Sequence, residues 1–203
     1  MVCRARPKGG VNRRLGSTGL RASVPQIMAL ELLAPCPPFS LPGTDDRTHT
    51  LDDFASSKLL CVLVSCNHCP YVIAYEDRMV ALGREYGAKG VGFIAVNAND
   101  ATRYPDDAMQ PMKVRAREKG FPFPYVRDDS QELVRALGAR FTPEVFVFDE
   151  ARKLRYHGRI DDNHRDASRV SSHDLRAALD ALLAGAEPPV AETVAFGCSV
   201  KWK

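Results

Sequence analysis

The chain has 203 residues, 45% of them apolar and 26% charged, enough to bury one substantial core. Its net charge of +3 misleads: residues 1–27 carry Arg4, Arg6, Lys8, Arg13, Arg14 and Arg21 and no acid, which leaves 22 basic against 25 acidic residues elsewhere. That mildly acidic remainder has no basic face for nucleic acid, and the longest strongly apolar run, Leu59 to Val64, is too short to cross a bilayer.

The leader lacks the apolar centre of a secretory signal despite Arg13-Arg14, although an Arg-rich, acid-poor segment also suits an organellar transit peptide. We expect residues 1–27 to be a disordered tail and one domain to run over residues 28–203. From Ala34 to Phe54, prolines and a turn at Gly43, Asp45 and Asp46 predict an extended lead-in with a short hairpin. Lys58–Ser65 reads as a central parallel strand buried on both faces. Pro70 suits the first turn of a helix, and Val72, Tyr75, Met79, Leu82 and Tyr86 then recur at helical spacing.

"GVGFIAVNAND" is the next buried strand, ending in Asn97, Asn99 and Asp100. Helices are expected over about Asp106–Lys119 and Gln131–Leu137, with "GFPFPYVRDD" as the connection between them. "TPEVFVFDE" and "KLRYHGRI" predict two hairpin strands. Ser171 opens the last helix with a capping sequence to Asp174; Leu175, Leu179, Leu182 and Leu183 are its apolar face, and Gly185 stops it. The tail "FGCSVKWK" is too short to assign. This order predicts an α/β layer with a mixed sheet. Cys66 and Cys69 then lie at the carboxyl end of one strand and Asn97, Asn99 and Asp100 at the end of the next, the edge where open α/β sheets bind ligands. Asp161, after the last strand, either reaches that edge or makes a solvated turn.

Six cysteines are present, and apart from Cys66 and Cys69 they are scattered, unlike a secreted disulfide framework. A lone C-x-x-C without an export signal points to the cytoplasm. The pair suits redox chemistry, half of a metal site, or core filling. A thiolate is stabilised by a helix N-terminus and a neighbouring imidazole, so Cys66, near His68, is expected to be the exposed nucleophile, with Cys69 one turn in. The metal reading has only Cys66, His68 and Cys69 as a core, because no second pair exists and the other histidines are dispersed. Cys61 reads as core, and neither Cys36 nor Cys198 is expected to be a redox thiol.

Together, "CNHCPYV", "FIAVNANDATRYPDD", "FPFPYVRDDSQELVRALGA", "TPEVFVFD", "YHGRIDDN" and "GCSVKWK" resemble a bacterial thioredoxin-like group with an AhpC/TSA-type redoxin domain, from about Met28 to Lys203. The resemblance implies a thioredoxin fold with a mixed central sheet, an N-terminal hairpin extension and a helical insertion. It also implies thiol–disulfide exchange with protein disulfides and a cellular thiol reductant, with no metal, no organic cofactor and no membrane partner. By the same resemblance Cys66 attacks, Cys69 resolves, Asn67 and His68 fill the motif, and Thr142-Pro143 is a cis-proline step facing the cysteines. Thioredoxin itself carries a buried acid where Leu60 stands here. Neither cysteine has the threonine and proline spacing of a peroxiredoxin, so a thiol peroxidase is the alternative. A His68 directed at Cys66 would favour the reduced form and raise the potential above that of thioredoxin.

Overall fold

The structure, a computed structural model, describes residues 29–203; the expected leader lies outside the described residues. Strands β1 (Ser40–Pro42) and β2 (Thr48–Thr50) form the antiparallel hairpin expected ahead of the domain. The core follows as β3 (Leu59–Val64), α1 (Pro70–Gly87), β4 (Val91–Asn97), α2 (Met109–Lys119), β5 (Tyr125–Arg127) and α3 (Glu132–Ala136). Then come β6 (Phe141–Thr142), β7 (Glu144–Phe148), β8 (Leu154–Gly158), α4 (Asp174–Leu183) and β9 (Cys198–Ser199). The central sheet has the order β5-β4-β3-β7-β8, with β3, β4 and β5 parallel and β7 and β8 antiparallel to their neighbours.

The alternation of a strand explains why β3 is apolar throughout. Leu59, Cys61 and Leu63 face one core with Val72, Tyr75, Met79, Leu82 and Tyr86 of α1 and Leu175 and Leu179 of α4. Leu60, Val62 and Val64 face a second core with Leu133 and Val134 of α3 and Phe146 and Phe148 of β7. A central strand with both faces covered has no polar side, and each fully buried side chain contributes roughly 1.5–3 kcal/mol. Among the described residues, no helix is long and apolar enough to cross a membrane.

Three local expectations need correction. The connection "GFPFPYVRDD" contains β5, a three-residue strand pairing with Ala95–Asn97; flanking prolines and brevity hide its periodicity. The segment expected to open α2 is instead a 3₁₀ turn, Pro105–Asp107, and α2 starts at Met109. The last helix starts at Asp174, because Ser171 is engaged elsewhere: its N–H and hydroxyl both donate to the Asp162 carboxylate. The unassigned tail forms β9, which pairs antiparallel with β6, Thr142 opposite Cys198.

Candidate functional site

Past Val64 the chain leaves the sheet, and Ser65–His68 run irregularly to Cys69, the N-cap of α1, with Pro70 at the first helical position. Proline is favoured there because its missing N–H would have no helical partner. The open end of the helix therefore belongs to Cys69 rather than to Cys66. Neither thiol is exposed: Cys66 is 1% and Cys69 0% accessible. The cover is β6, whose Thr142–Pro143 peptide is cis. Cys66 Sγ lies 3.4 Å from Thr142 Oγ1, and Cys69 Sγ lies 3.1 Å from the Thr142 carbonyl oxygen, a contact available only to the protonated thiol. The expected exposed nucleophile at Cys66 is thus corrected by this cover.

A buried carboxylate that the motif did not suggest organises the other side. Asp107, from the 3₁₀ turn after β4, is fully buried. Its Oδ1 accepts from the Asn67 N–H at 2.6 Å and from Asn97 Nδ2 at 3.0 Å. Its Oδ2 accepts from Asn99 Nδ2 at 2.9 Å and lies 2.6 Å from His68 Nδ1. Because a carboxylate only accepts, the Nδ1 of His68 carries the proton. The imidazole also stacks on Tyr104 with centroids 4.8 Å apart. His68 is therefore held by Asp107 and Tyr104, not primarily directed at Cys66 as expected. Asn67 is fixed twice more, donating to the Asp106 carbonyl at 2.8 Å and accepting from the Tyr125 hydroxyl at 3.0 Å.

Charge settles unequally on the two thiols. The neighbouring Cys66 thiol holds Cys69 down at about 4, with help from Cys198, the Val72 N–H and Thr142. The neighbouring Cys69, burial and the Asp107 carboxylate push the Cys66 thiol up. The helix N-terminus favours charge on Cys69 and the Asp107 carboxylate disfavours it on Cys66, whereas the Thr142 carbonyl contact is made by the protonated Cys69 thiol.

The predicted edge residues divide. Asn97 reaches the site through Asp107 and Tyr125. Asp100 does not: its Oδ1 accepts from the N–H and hydroxyl of Thr102, closing its own turn. Asp161 also serves elsewhere, accepting from the Tyr75 hydroxyl at 2.9 Å and from Arg78 Nη1 at 2.6 Å, which ties α1 to the loop after β8. Cys61 and Cys36 are buried, and burial pushes Cys36 up to about 12. Asn99, expected at this edge with Asn97, does reach the site through Asp107, whereas Asp107 and Tyr104 were missed by sequence reasoning. Asn99 and Asp107 sit in recognisable polar clusters, but only the return of the turn onto the Asn67 loop brings them to the thiols.

The closest possible metal-donor group among the described residues is Cys66, His68 and Asp107, whose donor atoms lie within 4.8 Å of one another. This differs from the expected trio of Cys66, His68 and Cys69. Both oxygens of Asp107 are already doubly hydrogen-bonded, so an ion there must displace existing partners.

Comparison with known proteins agrees with this architecture. An uncharacterized conserved protein from Geobacillus kaustophilus is 40% identical, with a TM-score of 0.81 over 85% of this chain and 93% of that one. A hypothetical protein from Sinorhizobium meliloti 1021 is 32% identical, with a TM-score of 0.82 over 87% and 97%. The fold is shared with a putative thiol:disulfide interchange protein DsbE from Chlorobium tepidum, at 22% identity and a TM-score of 0.55 over 64% and 85%. No curated protein matches the sequence. The Redoxin family profile matches residues 34–175, and with a mixed five-stranded sheet flanked by helices around the matched segment, the chain belongs to the Redoxin family of the thioredoxin superfamily.

Proposed function

We propose that the chain is a thiol–disulfide oxidoreductase that exchanges electrons between protein disulfides and a cellular thiol reductant through Cys66 and Cys69. The observation that carries this reading is the placement of two thiols at one strand–helix junction against the same residue, Cys66 Sγ 3.4 Å from Thr142 Oγ1 and Cys69 Sγ 3.1 Å from the Thr142 carbonyl oxygen. In the reducing direction the Cys69 thiolate attacks a substrate sulfur, forming a mixed disulfide and expelling the other substrate sulfur as a thiolate. Cys66 then attacks Cys69, its proton passes to the departing thiolate, and the Cys66–Cys69 disulfide remains. Two electrons have moved to the substrate. The ionisation order supports Cys69 as first attacker, the reverse of the order implied by resemblance. No metal or organic cofactor enters these steps.

The test is peptide mapping after oxidation with glutathione disulfide, together with reduction of a protein disulfide by wild type, Cys66→Ala and Cys69→Ala. The expected result is a Cys66–Cys69 cross-link in wild type and loss of activity in both variants. Undiminished reduction by either variant would overturn the reading.

A second reading has one observation in its favour, the Cys66, His68 and Asp107 donor group. Protein purified without chelator and carrying a stoichiometric ion lost on Asp107→Asn would support metal binding instead.

A further inference from the structure

A third thiol shares the site, and the two-cysteine scheme does not use it. Cys198 stands opposite Thr142 in the β6–β9 ladder, and Thr142 is the residue that both other cysteines approach. Gly197 permits this proximity, since a Cβ at that position would lie 2.1 Å from the Thr142 carbonyl oxygen. Cys198 packs against the core cluster that contains Cys66 and Cys69. Both the Cys66 and the Cys198 thiols lie near enough to Cys69 to act on its ionisation. The three cysteines therefore converge on Thr142, with Cys69 the thiol on which both others act.

The two thiols that act on Cys69 differ in access. Cys66 is 1% exposed, whereas Cys198 is only partly buried. The ammonium of Lys201 lies close enough to act on the Cys198 thiol and is held by Ser199 through its carbonyl and hydroxyl, 2.9 and 3.1 Å away. Cys36 and Cys61 offer the contrast: Cys36 donates to the Pro37 carbonyl, and burial alone pushes the Cys61 thiol up, with no sulfur neighbour acting on either. Packing alone explains those two, but it does not explain a thiol seated beside Cys69 at the surface.

We propose that Cys198 is a third redox thiol of this site: it exchanges with the Cys66–Cys69 disulfide to form Cys69–Cys198, which carries the disulfide from the buried pair to the surface, where a small anionic thiol reduces it. This rests on the disulfide-exchange reading above. In the first step the Cys198 thiolate attacks Cys69 Sγ; the Cys69–Cys198 bond forms, the Cys66–Cys69 bond breaks, and Cys66 takes up the proton that Cys198 gave up. No electrons enter or leave. In the second, an external thiolate attacks the accessible Cys198 sulfur and Cys69 departs as a thiolate, the better leaving group of the three. A second external thiolate attacks the bound thiol, releasing its disulfide and restoring Cys198. The two external thiols supply the two electrons. Lys201 favours a small thiol that carries negative charge, such as glutathione.

The experiment uses the full chain and glutathione in both redox forms. Cys66→Ser, oxidised by glutathione disulfide and mapped after an acid quench, should yield a Cys69–Cys198 cross-linked peptide. Recovery of those two cysteines only as free thiols or separate glutathione adducts would overturn the proposal. Wild type and Cys198→Ser should both form the Cys66–Cys69 cross-link. Reduction of that disulfide by glutathione should be slower in Cys198→Ser and in Cys198→Ala by an order of magnitude or more, because attack is then confined to the covered pair. Equal rates would likewise refute it. Absence of any Cys66–Cys69 cross-link in Cys198→Ser would sink the disulfide-exchange reading itself, whereas the Cys66→Ser result bears on Cys198 alone.

Discussion

Replacing Asp107 by asparagine isolates the charge of the buried carboxylate, because the side chain keeps nearly the same shape. Each oxygen accepts two hydrogen bonds, one pair from the Asn67 N–H and Asn97 Nδ2, the other from His68 Nδ1 and Asn99 Nδ2. An amide nitrogen in either place turns an acceptor into a donor facing two donors. At Oδ2, His68 can change tautomer and accept, but the Asn99 amide cannot turn over without losing the bond its Oδ1 accepts from the Lys201 N–H at 2.8 Å. At Oδ1, the Asn67 N–H has no alternative. At least one buried donor is stranded, at about 1–3 kcal/mol, and the remaining bonds lose their charge assistance. The expected loss is roughly 2–4 kcal/mol of folding stability, read by urea denaturation at fixed slope. The same change removes the anion beside Cys66, so its thiol should titrate lower, seen as thiolate absorbance appearing at lower pH. A stability change within about 0.5 kcal/mol would refute the claim that four donors depend on this charge.

Cys66→Ala removes the largest influence lowering the Cys69 thiol, so the Cys69 pKa should rise from about 4; a thiolate absorbance titration unchanged from wild type would count against the coupling of the two thiols. In Gly197→Ala the new methyl must displace the Thr142 carbonyl, which should open the β6–β9 ladder and speed alkylation of Cys66 and Cys69 by iodoacetamide. Unaltered alkylation would mean that this ladder is not their cover. Arg115→Ala leaves the buried Glu76 without its two bonds from Nε and Nη2 at 2.6 and 2.7 Å, with Lys119 remaining at 3.5 Å. The expected cost is roughly 2–3 kcal/mol in urea denaturation, below that of a fully broken buried pair because one cation stays.

Where chemistry and periodicity sit close together in the chain, they could be read directly. The run Leu59–Val64, the stripe from Val72 to Tyr86 and the thiols between them identify the strand, the helix and the junction from local spacing alone. Thr142-Pro143 became recognisable only through resemblance, since nothing local distinguishes that proline from the other thirteen. Strand β5 was hidden because three residues cannot display an alternation. Asp107 was hidden for a different reason: an acid followed by an amphipathic stretch is normally a solvated first turn of a helix, and here it turns inward to meet Asn67. Cys198 lies on a two-residue strand whose partner is far away in sequence, so its place beside Cys69 follows from tertiary pairing only. The hold of Asp107 on His68 was hidden in the same way, because that carboxylate is supplied by another loop.

The closing segment also has a consequence for the order in which the protein is made. Val200 donates its N–H to the Arg140 carbonyl, Lys201 donates its own to Asn99 Oδ1, and Lys203 donates to Gln131 Oε1. All these receiving groups, and both thiols of the pair, leave the ribosome before the residues that close over them. Synthesis at about 5–20 residues per second leaves a window of seconds in which Cys66 and Cys69 stand without β9. During that window a nascent chain presents the same two sulfurs under β6 alone, without the β9 strand that holds it in place. Emergence of the last strand is therefore the event that completes the guard over the dithiol.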